Sequence, residues 1–426
     1  MRICRTYGEP EVPRDGLMTE YRADVFGHIP DSITDDDIIT LCGRDPDIIP
    51  EGFGGLVDAG VDILPGYRCI RSFHDFSGTP DYKAIVSQLK DGPQEISKGA
   101  YTVRDFTDLL SIRDAARSLE RRHVILGMGP LGTVTRIRQN KLGNEFTFAY
   151  SGRPTAPGQL DLETMSRITD DTAIIGILGH PVAHSLSPVM QNAAMAAEGI
   201  DGIYLGFDSP DLEGLSDFIR EYDILGMNVT IPYKTEVMDQ VDEFTESAET
   251  IGAVNTVINR NGTLYGANTD PDGILFAFSG MDIEDKDVLV LGSGGAARSA
   301  VFAMSGKGCE VSVLGRNRVT VEAICNDMDA SPARSNDPSD YDIVINCTPV
   351  GMRDDGPYPI NIDRLTSGQT VLDMVYNRRT PLAETAEEKG CTVARGSDML
   401  IGQGARSFRY WFGRDPDTEV MREAIE

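Results

Sequence analysis

Two lysines, a histidine and an aspartate sit where such side chains do covalent or acid–base work. Lys98 follows Glu95-Ile-Ser and precedes Gly99, at the end of a short apolar run. A lysine at such a strand end forms a Schiff base with a ketone when its pKa is depressed. Burial and neighbouring cations such as Arg22, Arg44 and Arg136 are expected to depress it. His74, in Ser72-Phe-His-Asp-Phe76, suits the general acid and base beside it. Lys234 closes Leu225-Gly-Met-Asn-Val-Thr-Ile-Pro-Tyr-Lys234, where Asn228 and Thr230 are expected to converge on the same turn. Asp270 closes Gly266-Ala-Asn-Thr-Asp270, and Gly252-Ala-Val-Asn-Thr256 supplies more amides and hydroxyls. Amides, hydroxyls, one Lys and one Asp suit a polyol with a carbonyl to reduce: Lys234 gives the proton and Asp270 orients it. Taken singly, each residue has a plainer reading as a structural His, a surface Lys or a turn Asp. Ser185 and Ser187 precede a helix start near Pro188 and suit a carboxylate, although N-capping alone accounts for one of them.

The reductant is legible in Asp287-Val-Leu-Val-Leu-Gly-Ser-Gly-Gly-Ala-Ala-Arg-Ser-Ala300. Val288 to Leu291 reads as a buried parallel strand that breaks into Gly292-x-Gly294-x-x-Ala297 and then a helix. Gly292 permits the tight turn, Gly294 lets backbone approach a pyrophosphate, and Ala297 lets helix and strand pack closely. The helix N-terminus then offers free N–H groups to phosphates. A second strand, Glu310 to Leu314, ends in Gly315-Arg316-Asn317-Arg318, with no acid to hold a ribose 2′-hydroxyl. Two guanidiniums there suit a 2′-phosphate, so the expected cofactor is NADP rather than NAD.

The elements that must position these groups fall into two blocks. A chain of 426 residues is expected to form at least two domains. Before residue 165, eight short apolar runs recur: Arg2–Cys4, Leu17–Arg22, Asp37–Arg44, Val61–Leu64, Cys69–His74, Glu95–Lys98, His123–Met128 and Glu145–Tyr150. Eight runs with charge repeatedly at the same end suggest a (β/α)₈ barrel over residues 1–165, with its chemistry at the C-terminal strand ends. Residues 160–172 read as a short last helix and a polar joint. Residues 173–275 read as a substrate-binding α/β half, joined by the C-terminal helices 385–426 with Trp411. Residues 276–384 read as a Rossmann half, and the site is the cleft between the halves.

The net charge of −28 argues against nucleic acid and anionic membrane surfaces as partners. Abundant Asp and scarce Lys point to a high-salt cytoplasm. Seven scattered cysteines, with no Cys-x-x-Cys pair, argue for reduced thiols and against a zinc site. Without a visible signal peptide or long apolar run, a cytoplasmic protein with small-molecule substrates is expected.

Glu20-Tyr-Arg22, Ser72-Phe-His-Asp-Phe76, Lys98, Met128-Gly-Pro-Leu-Gly-Thr-Val-Thr-Arg136 and Thr155-Ala-Pro-Gly-Gln159 resemble, in order, the signature segments of type I 3-dehydroquinate dehydratases. The resemblance implies that Lys98 forms the imine and His74 moves protons. It implies that Glu20, Arg22, Arg44, Arg136, Thr155 and Gln159 hold hydroxyls and carboxylate. It also implies an acidic partner for the histidine shortly after the third strand, for which Glu51 is the candidate. The segment is far shorter than the usual barrel of about 250 residues, and connections such as Pro30–Asp36 are too short for full helices. A stripped outer layer leaves two alternatives: repair by a neighbouring subunit in a homodimer, or a barrel that has lost activity.

From Ile174 onward the chain resembles shikimate dehydrogenases. The carrying motifs are Ser-Leu-Ser-Pro188, Asn-Val-Thr-Ile-Pro-Tyr-Lys234, Gly-Ala-Val-Asn-Thr256, Asn-Thr-Asp270, Asn346-Cys-Thr-Pro-Val-Gly-Met352, Asp373-Met-Val-Tyr376 and Gly396-x-x-Met-Leu-x-x-Gln403. The resemblance implies catalysis by Lys234 and Asp270. It implies substrate binding by Ser185, Ser187, Thr230, Asn255, Tyr376 and Gln403, and an NADP site lined by Gly292, Ser293, Gly294, Gly295, Ala296, Asn317, Arg318, Met374 and Gly396. Ser187, rather than Thr or Gly, favours shikimate over quinate. Pro271-Asp272 departs from the family's usual Gly and is expected to shift that loop slightly. The two resemblances together imply an enzyme that dehydrates 3-dehydroquinate and then reduces 3-dehydroshikimate with NADPH. The alternatives are a dehydrogenase carrying a decayed barrel as scaffold, and a non-enzymatic regulator.

Overall fold

The computed structural model describes residues 1–7, 16–352 and 356–426. The chain divides into two compact units: residues 1–174 with 180–183 and 201–224, and residues 175–179 with 184–200 and 225–426.

The first unit is built on eight strands: β1 (Ile3–Tyr7), β2 (Thr19–Arg22), β3 (Ile38–Thr40), β4 (Leu56–Asp58), β5 (Arg68–Asp75), β6 (Ile96–Thr102), β7 (His123–Met128) and β8 (Thr147–Ser151). They form one sheet in the order β7-β6-β5-β4-β3-β2-β1-β8, a nearly closed parallel barrel. The fourth strand corrects the sequence expectation. It lies at Leu56–Asp58, and Val61–Leu64 is turn and irregular chain. The strand Leu56-Val-Asp58 is only three residues long and ends in an acid, so its signal was outweighed by the apolar stretch after it.

The period-2 alternation of strand side chains explains the interior. Cys4, Met18, Ile38, Leu56, Ile70, Ile96, Val124, Leu126, Phe146 and Phe148 form a buried apolar cluster. Two residues further along successive strands come Thr6, Glu20, Thr40, Asp58, Ser72 and Lys98, all buried. Register pairs them as Thr6 with Glu20, Thr40 with Asp58, and Ser72 with Lys98. A polar layer therefore sits directly on the apolar one.

The outer layer is uneven. Helices Tyr82–Leu89 and Phe106–Ser118 flank β6, each started by an aspartate (Asp81, Asp105) whose carboxylate accepts from first-turn N–H groups. Among the described residues between β1 and β5, the helical elements are the short helix Ala23–Phe26 and the 3-10 turn Pro46–Ile48. There Ala23, Ile39, Leu41, Ile49 and Val57 make a separate buried cluster, covered by Ile29, Ile33, Ile48, Phe53 and Leu64 from the loops. The chain's own loops thus cover this stretch of barrel wall. At the seam between β7 and β8 the Asn144 amide accepts from Ile125 N (2.7 Å) and donates to Ile125 O (2.9 Å), while Glu145 N donates to His123 O.

The same unit includes helix Leu215–Glu221, which packs on Phe106–Ser118. The Phe106 and Phe218 rings stack at 5.0 Å, and the Tyr222 hydroxyl donates to Leu109 O at 2.7 Å. Buried Arg138 donates to the carbonyls of Thr172, Tyr222 and Asp223.

The remaining strands are β9 (Ala173–Gly179), β10 (Gly202–Asp208), β11 (Ile224–Val229), β12 (Glu243–Phe244), β13 (Thr256–Arg260), β14 (Thr263–Ala267), β15 (Asp287–Leu291), β16 (Glu310–Leu314), β17 (Ser331–Pro332), β18 (Ile343–Asn346), β19 (Thr370–Asp373) and β20 (Thr392–Arg395). One six-stranded sheet has the order β10-β9-β11-β13-β14-β12, and the other the order β17-β16-β15-β18-β19-β20. The pairs of the second sheet are all parallel, as a doubly wound nucleotide fold requires. The long helix Gly396–Phe412 lies against helix Asp270–Ala277 and is admitted by two glycines. A Cβ on Gly273 would meet Met399 O at 2.5 Å, and one on Gly402 would meet Phe276 Cβ at 2.4 Å. Trp411 at its far end donates to Val257 O at 3.1 Å, which fixes the helix on β13 as the sequence suggested. Among the described residues, no helix is long and apolar enough to cross a membrane.

Asn144→Ala would leave Ile125 N and Ile125 O unpaired at the barrel seam. A loss of about 1–3 kcal/mol in unfolding free energy is expected from denaturant titration. A change below about 0.5 kcal/mol would mean that the seam does not depend on this amide.

Candidate active sites

Two separate clusters emerge, one in each unit. In the barrel, Lys98 is 7% exposed and its Nζ donates to Asp58 Oδ2 at 2.9 Å. Ser72 Oγ donates to the same oxygen at 2.6 Å, and Gly60 N donates to Asp58 Oδ1 at 3.0 Å. The Lys98 ammonium also lies 4.7 Å above the Phe148 ring. Glu20, beside it in the polar layer, accepts from Thr6 Oγ1 and Thr40 Oγ1, each at 2.7 Å. Both carboxylates thus accept from several donors.

The expected depression of Lys98 does not occur in the free protein. Burial pushes the ammonium down, but the facing Asp58 carboxylate, and then Glu20, outweigh it, and the net direction is upward. The cations named in the sequence lie elsewhere. Arg22 is held by Asp24 at 2.7 and 2.8 Å, and Arg44 is exposed, donating to Asp24 O. His74 behaves oppositely to Lys98. Burial lowers its pKa, and the Lys98 charge lowers it further, so the ring is neutral and basic near neutral pH. Phe76 stacks on it at 6.3 Å and is largely exposed.

Arg136 is 2% exposed, and its Nε has no hydrogen-bond partner. Burial pushes the guanidinium down to about 10, with Glu20 opposing. A buried guanidinium with an unfilled donor is prepared for an anion. Thr155 and Gln159 meet in the loop after β8, where the Gln159 side-chain oxygen accepts from Thr155 N and Thr155 Oγ1, both at 3.0 Å. Glu51 is exposed in a turn, so the acid expected there is not the buried one. The buried acid of this layer is Asp58, which pairs with Lys98 rather than with His74 and which the sequence reading missed. Its signal was its place at a strand end, hidden by the misplaced fourth strand.

In the second unit, Lys234 Nζ donates to Asp270 Oδ2 at 2.6 Å, and Asn255 Nδ2 donates to Asp270 Oδ1 at 2.7 Å. Asn255 is itself fixed by Thr269 N, which donates to its Oδ1 at 2.8 Å. Asp270 opens a helix with Pro271 in the first turn, where a missing N–H costs nothing. The Pro271-Asp272 departure therefore suits the local backbone. Ser187 is buried, and Ser185 Oγ accepts from Ser187 N at 3.2 Å; Leu186 is the N-cap residue and no side chain caps the helix, so neither serine is used in capping. Thr230 and Tyr376 are partly buried, whereas Gln403 is buried and donates to Leu400 O. Asn228 does not join this group: it is buried and donates to Thr256 Oγ1 and Ser407 Oγ, tying β11 to the long helix.

The nucleotide loop fits its cofactor. Gly292 has φ +119°, and Gly294, the N-cap of helix Gly295–Ser305, has open space where a Cβ would point. A Cβ on Gly295 would lie 4.0 Å from Lys234 Cδ, so the phosphate loop runs close to the lysine side chain. Ser293 Oγ is 2.7 Å from Thr320 Oγ1, joining this loop to the end of β16. There Asn317 caps the following helix, while Arg316 and Arg318 are exposed; Arg318 pairs only with Glu322 one turn on. Ala296 follows Gly295 in the helix, and partly buried Met374 precedes the Asp373 to Gly396 approach, where a Cβ on Gly396 would meet Asp373 O at 2.6 Å. Among the described residues, no group of three or more His, Cys, Asp or Glu is placed to hold a metal ion.

Three family models match the chain. Residues 62–174 match type I 3-dehydroquinase, residues 177–257 match the shikimate dehydrogenase substrate binding domain, and residues 396–426 match the shikimate 5′-dehydrogenase C-terminal domain. A shikimate dehydrogenase (NADP(+)) of Methanopyrus kandleri is 38% identical over 277 residues, covering 60% of this chain and 95% of the relative. The crystal structure of shikimate dehydrogenase from Aquifex aeolicus is 32% identical with a TM-score of 0.59, covering 61% of this chain and 99% of that one. The Thermus thermophilus enzyme, crystallised with NADP(H) and shikimate, is 35% identical with a TM-score of 0.56, covering 59% and 98%.

Arg136→Met would remove a buried charge that only Glu20 partly offsets. The ligand-free protein is expected to keep its stability or gain about 1 kcal/mol in denaturant unfolding. A loss of more than about 1 kcal/mol would show that the guanidinium serves the fold rather than a ligand.

Proposed function

Because the chain belongs to the shikimate dehydrogenase family and carries a type I 3-dehydroquinase domain, we propose that it is a bifunctional lyase and oxidoreductase. The barrel converts 3-dehydroquinate to 3-dehydroshikimate, and the second unit reduces that product to shikimate with NADPH. The observation that carries this reading is the buried Lys98 beside neutral His74. A scaffold has no use for a buried lysine and carboxylate, because burying both costs more than a hydrophobic pair of like size.

In the barrel, Lys98 condenses with the substrate ketone and releases water. The resulting iminium withdraws electrons and acidifies the adjacent C–H. His74 takes that proton and returns it to the departing hydroxyl, which leaves as water while the C=C bond forms. Arg136, buried with an unfilled donor, would take the substrate carboxylate, and Glu20, Thr155 and Gln159 the remaining oxygens, with Arg22 and Arg44 joining them on leaving Asp24.

In the second unit, Gly292, Ser293, Gly294, Gly295 and Ala296 would cradle the pyrophosphate, with Met374 and Gly396 beside the nicotinamide end. Arg318, with Asn317, would hold the 2′-phosphate once it leaves Glu322. When bound, NADPH supplies the reducing electrons. Lys234 gives its proton to the carbonyl oxygen as that oxygen gains negative charge. Asp270, held by Asn255, orients the ammonium. Ser185, Ser187, Thr230, Tyr376 and Gln403 would bind the substrate hydroxyls and carboxylate. We further propose a cytoplasmic setting for these soluble substrates.

The decisive assay supplies 3-dehydroquinate as sole carbon substrate and follows NADPH absorbance. Consumption is expected at a rate set by the slower site. Consumption with 3-dehydroshikimate alone would leave the barrel a scaffold.

The depressed His74 fixes a sign for pH. Protonation removes the base, so kcat/KM for dehydration should fall as pH drops through a pKa below the ordinary histidine value of about 6.5. An acid limb at or above that value would mean that another group is the base.

A further inference from the structure

Asp58 has no part in the chemistry described so far, yet it touches the atom that must react. Its side chain is 1% exposed, and three donors converge on it: Lys98 Nζ at 2.9 Å, Ser72 Oγ at 2.6 Å and Gly60 N at 3.0 Å. The carboxyl is held below the usual carboxylate range despite burial, because Lys98 and then Ser72 favour its charged form. In the free protein Lys98 is accordingly an ammonium locked in an ion pair, and an ammonium has no lone pair with which to attack a ketone. A base within hydrogen-bond reach must take that proton before the lysine can act.

Three observations single out Asp58 for that task. His74 is two residues beyond Ser72 on β5 and on the same face, but no hydrogen bond joins it to Lys98. Glu20 already accepts two hydroxyl hydrogen bonds, from Thr6 and Thr40. Glu51, the acid sought from the sequence, is exposed in a turn. The ion pair is also the register consequence of the barrel, since Asp58 and Lys98 occupy the same polar layer on β4 and β6 with Ser72 of β5 between them.

We propose that Asp58 is the proton acceptor for imine formation at Lys98 and then the counter-ion of the iminium. This deepens the dehydratase reading and rests on it. The balance is as follows. One ammonium proton passes from Lys98 to Asp58, the freed lone pair forms the N–C bond, and the ketone oxygen takes up a second proton from the same nitrogen, giving a neutral carbinolamine. Nitrogen then forms the C=N bond, and the C–O bond breaks. The hydroxyl leaves as water with the proton that Asp58 returns. Ketone and ammonium thus become iminium and water with no net change in charge. Ser72 is a positioning residue that keeps the Asp58 oxygen turned toward Lys98.

The test uses the full chain, 3-dehydroquinate and borohydride, with intact mass and peptide mapping as readout. The parent protein should gain covalent mass on Lys98. If it gains none, the imine chemistry itself fails, and the dehydratase reading with it. Given trapping in the parent, Asp58→Asn should trap roughly 10²-fold more slowly at neutral pH, the scale of a lost general base. Its dehydrogenase rate with 3-dehydroshikimate should be unchanged, which monitors the integrity of the chain. Asp58→Ala should be as slow as Asp58→Asn and should recover trapping in proportion to added formate, a carboxylate small enough for the vacated space. Trapping within about threefold of the parent in Asp58→Asn, or no recovery of Asp58→Ala with formate, would overturn the assignment.

Discussion

An ionised carboxylate can be buried only if donors replace the water it loses, and this constraint shapes both catalytic centres. Unpaired, such a charge costs several kcal/mol even after relaxation. Here Glu20 takes two threonine hydroxyls, Asp58 takes a lysine, a serine and a backbone N–H, and Asp270 takes a lysine and an asparagine amide. Each donor must come from a different strand or turn, so the sheet register that brings them together is fixed by the same need. The lysines gain from the arrangement as well: each is held at a defined oxygen. Reactivity then depends on where the proton goes when substrate arrives.

The barrel shows how little outer layer such a site requires. On one side, full helices cover β5 to β7. On the other, five loop residues with isoleucine, phenylalanine and leucine side chains seal a five-residue cluster. Loops can do this because the cluster needs only apolar area removed from water, which is non-directional. The interior cannot be trimmed in the same way, since its polar layer depends on register and its apolar floor on close packing. Shortening has therefore fallen on the part of the barrel with the loosest geometric demand.

The second unit relies on close approach rather than on side-chain bulk. Gly273 and Gly402 let the long C-terminal helix press on the helix that begins with Asp270, and Trp411 anchors its end. That helix also carries Gln403 and Ser407, so the packing which stabilises the domain also delivers polar groups to the centre. Gly292, at φ +119°, plays the matching part at the nucleotide loop, where an L side chain would be strained.

Much of this was legible in the residues themselves. The glycine spacing, the strand of Asp287–Leu291 and the arginines after β16 determined the nucleotide, because those features act over a few adjacent residues. Strand periodicity determined that residues before about 165 form a parallel barrel, and its lysine and histidine stood out as groups that a core does not need. What the sequence left undecided depends on partners far apart in the chain. Asp58 lies 40 residues from Lys98, and only the barrel register sets them in one layer. That placement reverses the expected depression of the lysine. In the second unit a contact just as distant in sequence commits Asn228 to a structural bond with Ser407. Local pattern fixes which side chains point inward; only closure of the sheet decides which of them meet.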